Sequence, residues 1–405
     1  MKTDFRKHDD ISEQVNILKI INRYGKITRR QIVELTGFSQ AKISILINVL
    51  RKSNLIDEVN EVESSGGRKA KLLQIRGEKG RIVGLEIGGY EVKLSLVDYG
   101  GSLLATAKRP APQEVGDPAK VVESLAAFIQ ESLRANGVDR ARVKGLGIAL
   151  SGIVNRNTGE CMYFRNQKSW ESLPLRSMME AACGLPCTLD DSSRMAAVAE
   201  RTHGCCIDTD SFILISIGVG TGCGIFIDGE LFRGRNGYGG ELGHMVIKEN
   251  GPRCVCGNYG CLESFISGYA IERQLREALA DNVYSSMMDL SAITTREIVA
   301  HAESGDKLAY SIISDAGKHL GIGIANIINI FNPQKVVLAG GVARAGKLLL
   351  DPVIQVVRAS ALSFSGRVCQ IELSTLDEYA ASRGAAQDWF TDLLGDPRAT
   401  ELILS

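Results

Sequence analysis

Apolar residues recur along the first fifty positions at the three-and-four spacing of helices. Ile11, Val15, Leu18 and Ile21 share one face, with Ile17 beside them, and Gly25 ends the run. Thr28 is placed to cap a second helix over Arg29–Thr36, with Ile32, Val33 and Leu35 for its buried side, and Gly37 breaks it. Ser39 is placed to cap a third helix reaching about Lys52, with Ile43, Ile45, Leu46, Ile47, Val49 and Leu50 as its apolar set. The period then shortens. Residues 55–62 and 69–75 read as strands about a Ser64-Ser65-Gly66-Gly67 turn, a hairpin, and residues 76–80 read as a linker.

Beyond Ile82 the pattern alternates between buried-type strands and amphipathic helices. Strands are expected over 82–87 and 92–97 about Gly88-Gly89, and over 143–149. A helix over Pro118–Ala135 is capped by Asp117, with proline at its first position. A second strand–turn–strand falls at 212–217, 218–224 and 225–227, followed later by a helix over 318–331 and a strand over 335–338 ending at Gly340-Gly341. Such alternation predicts an α/β fold, and the two glycine-rich hairpins suggest two related lobes. The expected division is a head at 1–76, a linker at 77–81, lobes at 82–200 and 201–385, and a C-terminal helix or tail at 386–405.

Charge changes the picture because it is unevenly placed. The whole chain is neutral, yet residues 1–76 hold 15 Lys and Arg against 9 Asp and Glu, a net of +6 that the remainder balances. A basic head on an acidic body suits a polyanion partner. No apolar run is long enough to span a membrane, and the charged start, Met1 to Asp10, lacks the apolar core of a signal peptide. Three of the ten cysteines crowd into 254–261, a pattern of metal binding in a reducing compartment rather than of a disulfide scaffold, so a cytoplasmic protein is expected.

Two constellations carry chemistry. In a helix-turn-helix, the third helix of the head would enter the major groove, with Ser39, Gln40, Lys42 and Ser44 near base edges. Arg29 and Arg30 would meet phosphates, and Arg68 and Lys69 at the hairpin tip would reach a minor groove. The expected partner is a double-stranded DNA operator, read by a homo-oligomer, dimer or tetramer, since two-fold sites mirror a two-fold protein. The second constellation is His244, Cys254, Cys256 and Cys261. Three thiolates and one imidazole make a closed tetrahedral site for structural zinc, leaving no open position.

Residues 11–76 resemble the MarR-like winged helix at the front of ROK-family repressors, with Lys69 where members often carry proline. The run Glu241-Leu242-Gly243-His244, then Cys254-Val255-Cys256-Gly257-Asn258-Tyr259-Gly260-Cys261-Leu262-Glu263, is similar to the hallmark of that family, and the resemblance extends over nearly all of 82–385. It implies a winged helix-turn-helix followed by a two-lobed actin-like, ribonuclease H-like sugar-kinase fold. It implies that Glu241, His244 and Glu263 contact sugar hydroxyls, that Asn166 of the Asn166-to-Trp170 stretch bonds another, and that the turn at Ser151-Gly152 approaches the sugar through its backbone. Trp170 is as well placed for core as for a pocket wall.

The same resemblance sets a kinase against a sensor. Family kinases open with an Asp-x-Gly-Gly-Thr loop, where this chain has Glu86-Ile87-Gly88-Gly89-Tyr90. The second loop, Gly218 to Gly224, keeps its glycines. The family's catalytic Asp lies eight residues before a Glu, and eight before Glu200 is Ser192, which cannot accept a proton near neutral pH. A one-residue slip would put Asp191 at the base, at the cost of the helix phase between Ser193 and Glu200. The expected protein is therefore a sugar-responsive repressor that is not an enzyme, in which a sugar or sugar phosphate between the lobes, with Asp191 among its contacts, shifts lobe closure and the spacing of two heads. The alternatives are an active ATP-dependent sugar kinase with an accessory head, or a sensor of a sugar-transport protein, which some relatives are.

Overall fold

The computed structural model describes residues 2–60, 71–111, 117–165, 167–287 and 293–395. They form two units, Met1–Asp191 with Tyr379–Ser405, and Ser192–Glu378.

The first unit begins with the head: α1 (Lys2–Tyr24), β1 (Ile27–Thr28), α2 (Arg29–Thr36), α3 (Gln40–Lys52), β2 (Ile56–Asn60) and β3 (Lys71–Ile75). Thr28 accepts the Gln31 N–H while the Gln31 side chain returns to the Thr28 N–H, a reciprocal cap. Gly37 ends α2 in the left-handed region at φ 68°. Ser39 caps α3 by accepting the Lys42 N–H. Ile17, Leu18, Ile21, Ile32, Ile43, Ile47 and Leu50 are buried together. Three apolar residues assigned to this core from spacing are instead exposed: Leu35 (51%), Ile45 (65%) and Val49 (40%). At 100° per residue, Ile45 lies opposite Ile43 and Ile47, so the helix cannot bury all of them against one neighbour. The hairpin gains a third strand, since β1 pairs with β3. The turn at 64–67, with Arg68 and Lys69, lies outside the described residues.

Residues 76–80, expected as a linker, are seated rather than free. Gly77–Lys79 form a single 3-10 turn, the Tyr99 N–H bonds the Gly80 carbonyl at 3.2 Å, and Arg76 grips Asp57. The chain then runs through β4 (Arg81–Ile87), β5 (Glu91–Asp98), β6 (Leu103–Pro110), α4 (Pro118–Ala135), β7 (Val143–Leu150), β8 (Ile153–Asn155), β9 (Glu160–Tyr163), α5 (Leu175–Cys183) and β10 (Cys187–Asp191). The sheet order is β10-β7-β4-β5-β6, antiparallel from β4 to β6 and parallel from β4 to β10.

The second unit contains α6 (Ser192–His203), β11 (Phe212–Ile217), β12 (Thr221–Ile227), β13 (Glu230–Phe232), α7 (Glu263–Ile266), α8 (Gly268–Ala280), α9 (Thr295–Glu303), α10 (Lys307–Phe331), β14 (Lys335–Ala339), α11 (Lys347–Ser360), α12 (Ser363–Val368) and β15 (Gln370–Leu373). Its sheet order, β13-β12-β11-β14-β15, repeats that of the first unit: an antiparallel meander on one side of the first strand and two parallel strands on the other. The α10 helix starts eleven residues before the expected Lys318. Asp306 caps it by accepting the Ala309 N–H at 2.9 Å, and Ala309, Ile312, Ile313 and Ala316 extend its buried stripe.

After β15 the chain returns to the first unit as α13 (Ala380–Leu393), six residues ahead of the expected tail. It packs across β4, β5 and β7. Glycines admit it: a Cβ at Gly84 would lie 1.8 Å from the Ser382 carbonyl oxygen, and one at Gly147 1.9 Å from that of Ala385. Trp389, Phe390 and Leu394 join the buried cluster of the head, and Asn22 of α1 bonds both Gln387 and Thr391. On the same helix Asp388 and Asp392 meet Arg156, which also holds Asp190 at the end of β10. Burial works against the Arg156 charge, but Asp388, Asp190 and Asp392 outweigh it and raise its pKa.

Arg156→Ala is expected to cost about 3–5 kcal/mol in urea unfolding, because buried Asp190 and Asp388 lose their shared guanidinium. Asp392→Asn should cost under about 1 kcal/mol, since that carboxylate is half exposed. Burial works against ionisation of Asp306, but the Ala309 and Ser286 N–H groups and the Ser285 and Ser286 hydroxyls outweigh it and lower its pKa from 3.8 to about 2. The stability it contributes is therefore complete above pH 3.8 and lost as pH falls through about 2. Asp306→Asn should flatten that part of the acid-unfolding curve.

Candidate functional site

His244, Cys254, Cys256 and Cys261 converge in the second unit. Each offers one ligand atom, and the four atoms lie within 4.8 Å of one another. Local structure explains the meeting. A 3-10 turn, Leu242–His244, presents the imidazole. The chain then doubles back, with bridges from Val246 to Cys261 and from Arg253 to Tyr259. Gly260 makes the fold-back possible: its φ is +72°, and a Cβ there would lie 1.8 Å from the Lys248 carbonyl oxygen. The Cys254 N–H bonds the Asn258 carbonyl, closing the cysteine turn.

The spacing of the donors fits a metal ion. The Cys256 and Cys261 sulfurs are 3.8 Å apart, and the Cys254 sulfur is 3.6 Å from His244 Nδ1. A tetrahedron with metal–sulfur bonds of about 2.3 Å and a metal–nitrogen bond of about 2.0 Å has edges of about 3.8 and 3.6 Å. Burial pushes the Cys254 and Cys261 thiols up, so a cation is needed to make them thiolates. All ten cysteines are free thiols.

With Nδ1 turned to the sulfurs, His244 Nε2 is left facing Glu241, 4.0 Å from its Oε2. Burial raises the Glu241 carboxyl above its ordinary pKa, His244 and Arg194 pull it down, and Glu263 pushes it up. These directions place both glutamates and Arg194 in one electrostatic neighbourhood. Arg194, buried on α6, donates to the Gly239 carbonyl at 2.9 Å and so steadies the segment before Glu241. Sequence reasoning missed this residue, because an arginine early in an amphipathic helix reads as a solvated charge. Glu263 is buried at the start of α7, where it accepts the Thr221 N–H at 2.8 Å.

Two glycines at the end of the 218–224 loop have packing reasons. A Cβ at Gly222 would fall 2.0 Å from Ser193 Oγ, and one at Gly224 2.5 Å from the Ala197 Cβ. They let β12 lie against α6, so their presence needs no phosphate.

The first unit holds the remaining expected sugar contacts. Asp191 ends β10, partly exposed, and its N–H bonds Asp190 Oδ1 at 2.8 Å. Ser192 opens α6 in the second unit. Gly152 lies just before β8, where a Cβ would be 2.4 Å from the Tyr163 carbonyl oxygen. Asn166 lies outside the described residues. Trp170 is fully buried, 5.3 Å from the Phe164 ring, and is core. In the first loop Glu86 is 3.7 Å from Lys93, while Tyr90 is 64% exposed.

In the head, two of the expected DNA cations are engaged internally. Arg29 is ion-paired with Glu58, and Lys42 with Glu13 while lying over the Phe38 ring. Burial works against the Glu58 charge, but Arg29, Lys71 and Arg51 together lower its pKa. Arg30 is exposed beside Glu34. Gln40 is exposed in the first turn of α3, and Ser44 is half-buried. The exposed face of α3 also carries Ala41, Ile45 and Asn48, which the reading of the sequence did not place there.

The profile of the ROK family matches residues 82–391. The xylose repressor of Caldicellulosiruptor bescii is 30% identical over 392 residues, 95% of this chain and 98% of that one. A crystal structure of a ROK family transcriptional regulator, a homolog of the Escherichia coli MLC protein, superposes with a TM-score of 0.82 at 30% identity, covering 98% of this chain and 99% of that one. A ROK family glucokinase from Streptomyces griseus, in complex with glucose and AMPPNP, gives a TM-score of 0.67 at 28% identity, covering 76% of this chain and 98% of that one.

Metal analysis of the purified chain is expected to find one ion per chain, and Cys261→Ser should lose it. Proteolysis of that variant should then begin within 246–260, the stretch the four donors close. An ion-free wild type with a protected loop would contradict the assignment.

Proposed function

The chain belongs to the ROK family, and on that premise we propose that it is a sugar-responsive, DNA-binding transcriptional repressor rather than a kinase. One observation carries the choice. The xylose repressor and the ROK regulator match nearly the whole chain, head included, whereas the glucokinase spans 76% of it. The head is thus part of what this chain shares with regulators.

In this reading the head binds operator DNA as part of a homo-oligomer, with Arg30, Gln40 and Ser44 at the interface and Arg68 and Lys69 at the wing. Arg29 and Lys42 reach phosphate only by exchanging their glutamate partners, a competition that salt weakens on both sides. The ion held by His244, Cys254, Cys256 and Cys261 is zinc, in a structural role, since soft sulfur donors select it and four protein ligands leave no position for substrate. Bound there, it supplies folding energy to the loop and fixes the His244 ring, so that Nε2 and Glu241 stand ready for sugar hydroxyls. Glu263 contributes a second carboxylate from α7. The thiolates require the reducing conditions of the cytoplasm. No described helix is long and apolar enough to cross a membrane.

Phosphoryl transfer is absent because Ser192 stands at the base position and Glu86 and Tyr90 alter the first loop. A kinase reading retains one supporting observation, the partly exposed Asp191 at the end of β10. A single experiment separates the two. With xylose, glucose, N-acetylhexosamines and their phosphates offered in turn, one ligand should change operator affinity at least about tenfold, while ATP turnover stays at background. Turnover abolished by Asp191→Asn would overturn the repressor-only reading.

A further inference from the structure

The solvent side of α3 carries a feature that polar base reading leaves unexplained. Ala41, Ile45 and Val49 follow one another at four-residue intervals, all three exposed, with Ile45 at 65% on the outermost ridge. The buried stripe of Ile43, Leu46, Ile47 and Leu50 lies on the opposite side. A contiguous exposed apolar row rimmed by polar residues marks an interaction surface.

The surroundings identify the occupant. Gln40, Asn48, Arg51 and Lys52 flank the apolar row, all exposed, and α3 contains no Asp or Glu. The carboxylates in contact with this face, Glu13 on Lys42 and Glu58 on Arg51, are each neutralised by a cation. A protein partner of ordinary composition would not require such one-sided charge, whereas a polyanion does. Within a DNA major groove, the one apolar group on a base edge is the thymine 5-methyl. Ala41 and Ile45 lie in the first two turns of α3, the part of a recognition helix that comes nearest the bases.

We propose that Ile45, with Ala41, reads thymine methyl groups in the operator half-site, and that Asn48 reads an adjacent adenine through its N6 and N7 edge. The proposal rests on the DNA-binding reading above and adds its base preference. Half-sites are then rich in A·T pairs at the centre of the α3 footprint. Ile45 and Asn48 are specificity-determining residues, while Lys42 and Arg29 are held back from the bases by their glutamates.

The test starts from duplexes enriched by the full-length protein from a random-sequence library. The best duplex is resynthesised with deoxyuridine in place of thymidine, one position at a time, which removes only the methyl group. Wild type should lose about three- to tenfold in affinity at one or two positions per half-site, the effect of one buried methyl. Ile45→Ala should bind thymine and uracil duplexes alike, and Ile45→Val should restore part of the difference. Because Ile45 is exposed, the melting temperature of both variants should match wild type. Uracil indifference of the wild type at every position would overturn the proposal while leaving DNA binding intact. An unchanged thymine-to-uracil ratio in Ile45→Ala, or loss of oligomer in sedimentation with that variant, would do the same. Failure to enrich any duplex would sink both this proposal and the DNA-binding reading.

Discussion

The convergence of one imidazole and three thiols is the constraint on which the arrangement of residues 241–263 depends. Residues 246–260 are polar and glycine-rich, with Val246, Val255 and Tyr259 exposed. Such a segment has little apolar surface to bury and cannot hold its conformation by packing alone. The four donor atoms instead meet within 4.8 Å of one another, and the fold-back at Gly260 brings Cys261 beside the other three. The consequence reaches past the cluster. With Nδ1 committed to the sulfurs, the other imidazole nitrogen has one direction left, toward Glu241. The buried Glu263, two residues after Cys261, is carried into the same neighbourhood and fastened to Thr221.

The first unit is organised by its last helix. α13 is distant in sequence from everything it touches, yet it seals the glycine-lined side of the β4–β7 sheet and continues into the core of the head. Its polar positions are shared between two neighbours. Gln387 and Thr391 bond Asn22 of α1, while Asp388 and Asp392, one residue further on in each case, hold Arg156 and through it Asp190. Helix geometry makes this possible, since residues four apart present one face. The head is therefore not a module on a tether. Its core and the underside of the sheet form one buried cluster, in which Tyr99 and Phe390 meet at 4.7 Å between ring centres.

A fold shared with sugar kinases does not bring their chemistry with it. Three of the loop glycines that invite a phosphate interpretation are in close contact with protein: Gly222 and Gly224 with α6, Gly220 with Glu263. Glu86 is occupied by Lys93. What this chain keeps is a neighbourhood of two glutamates and an imidazole. What it adds is a basic head. An effector acts on a regulator only through its different affinity for two states.

Local signals made much of this legible. Thr28, Ser39, Asp117 and the glycines after α1 and α2 set the ends of helices through short-range hydrogen bonds and left-handed turns, and each works within four residues of itself. The spacing of His244 and the three cysteines pointed to a metal for the same reason, since a short loop must bring such ligands together. Spacing alone could not say which apolar residues of α3 face outward, or that Arg29 and Lys42 are paired with Glu58 and Glu13. The return of α13 was equally invisible. Those features depend on partners tens or hundreds of residues away, and burial is a property of the pair that meets. The sequence determined the elements, the metal donors and the basic head. The tertiary structure decided which face each element presents, because only packing selects among the faces a helix can offer.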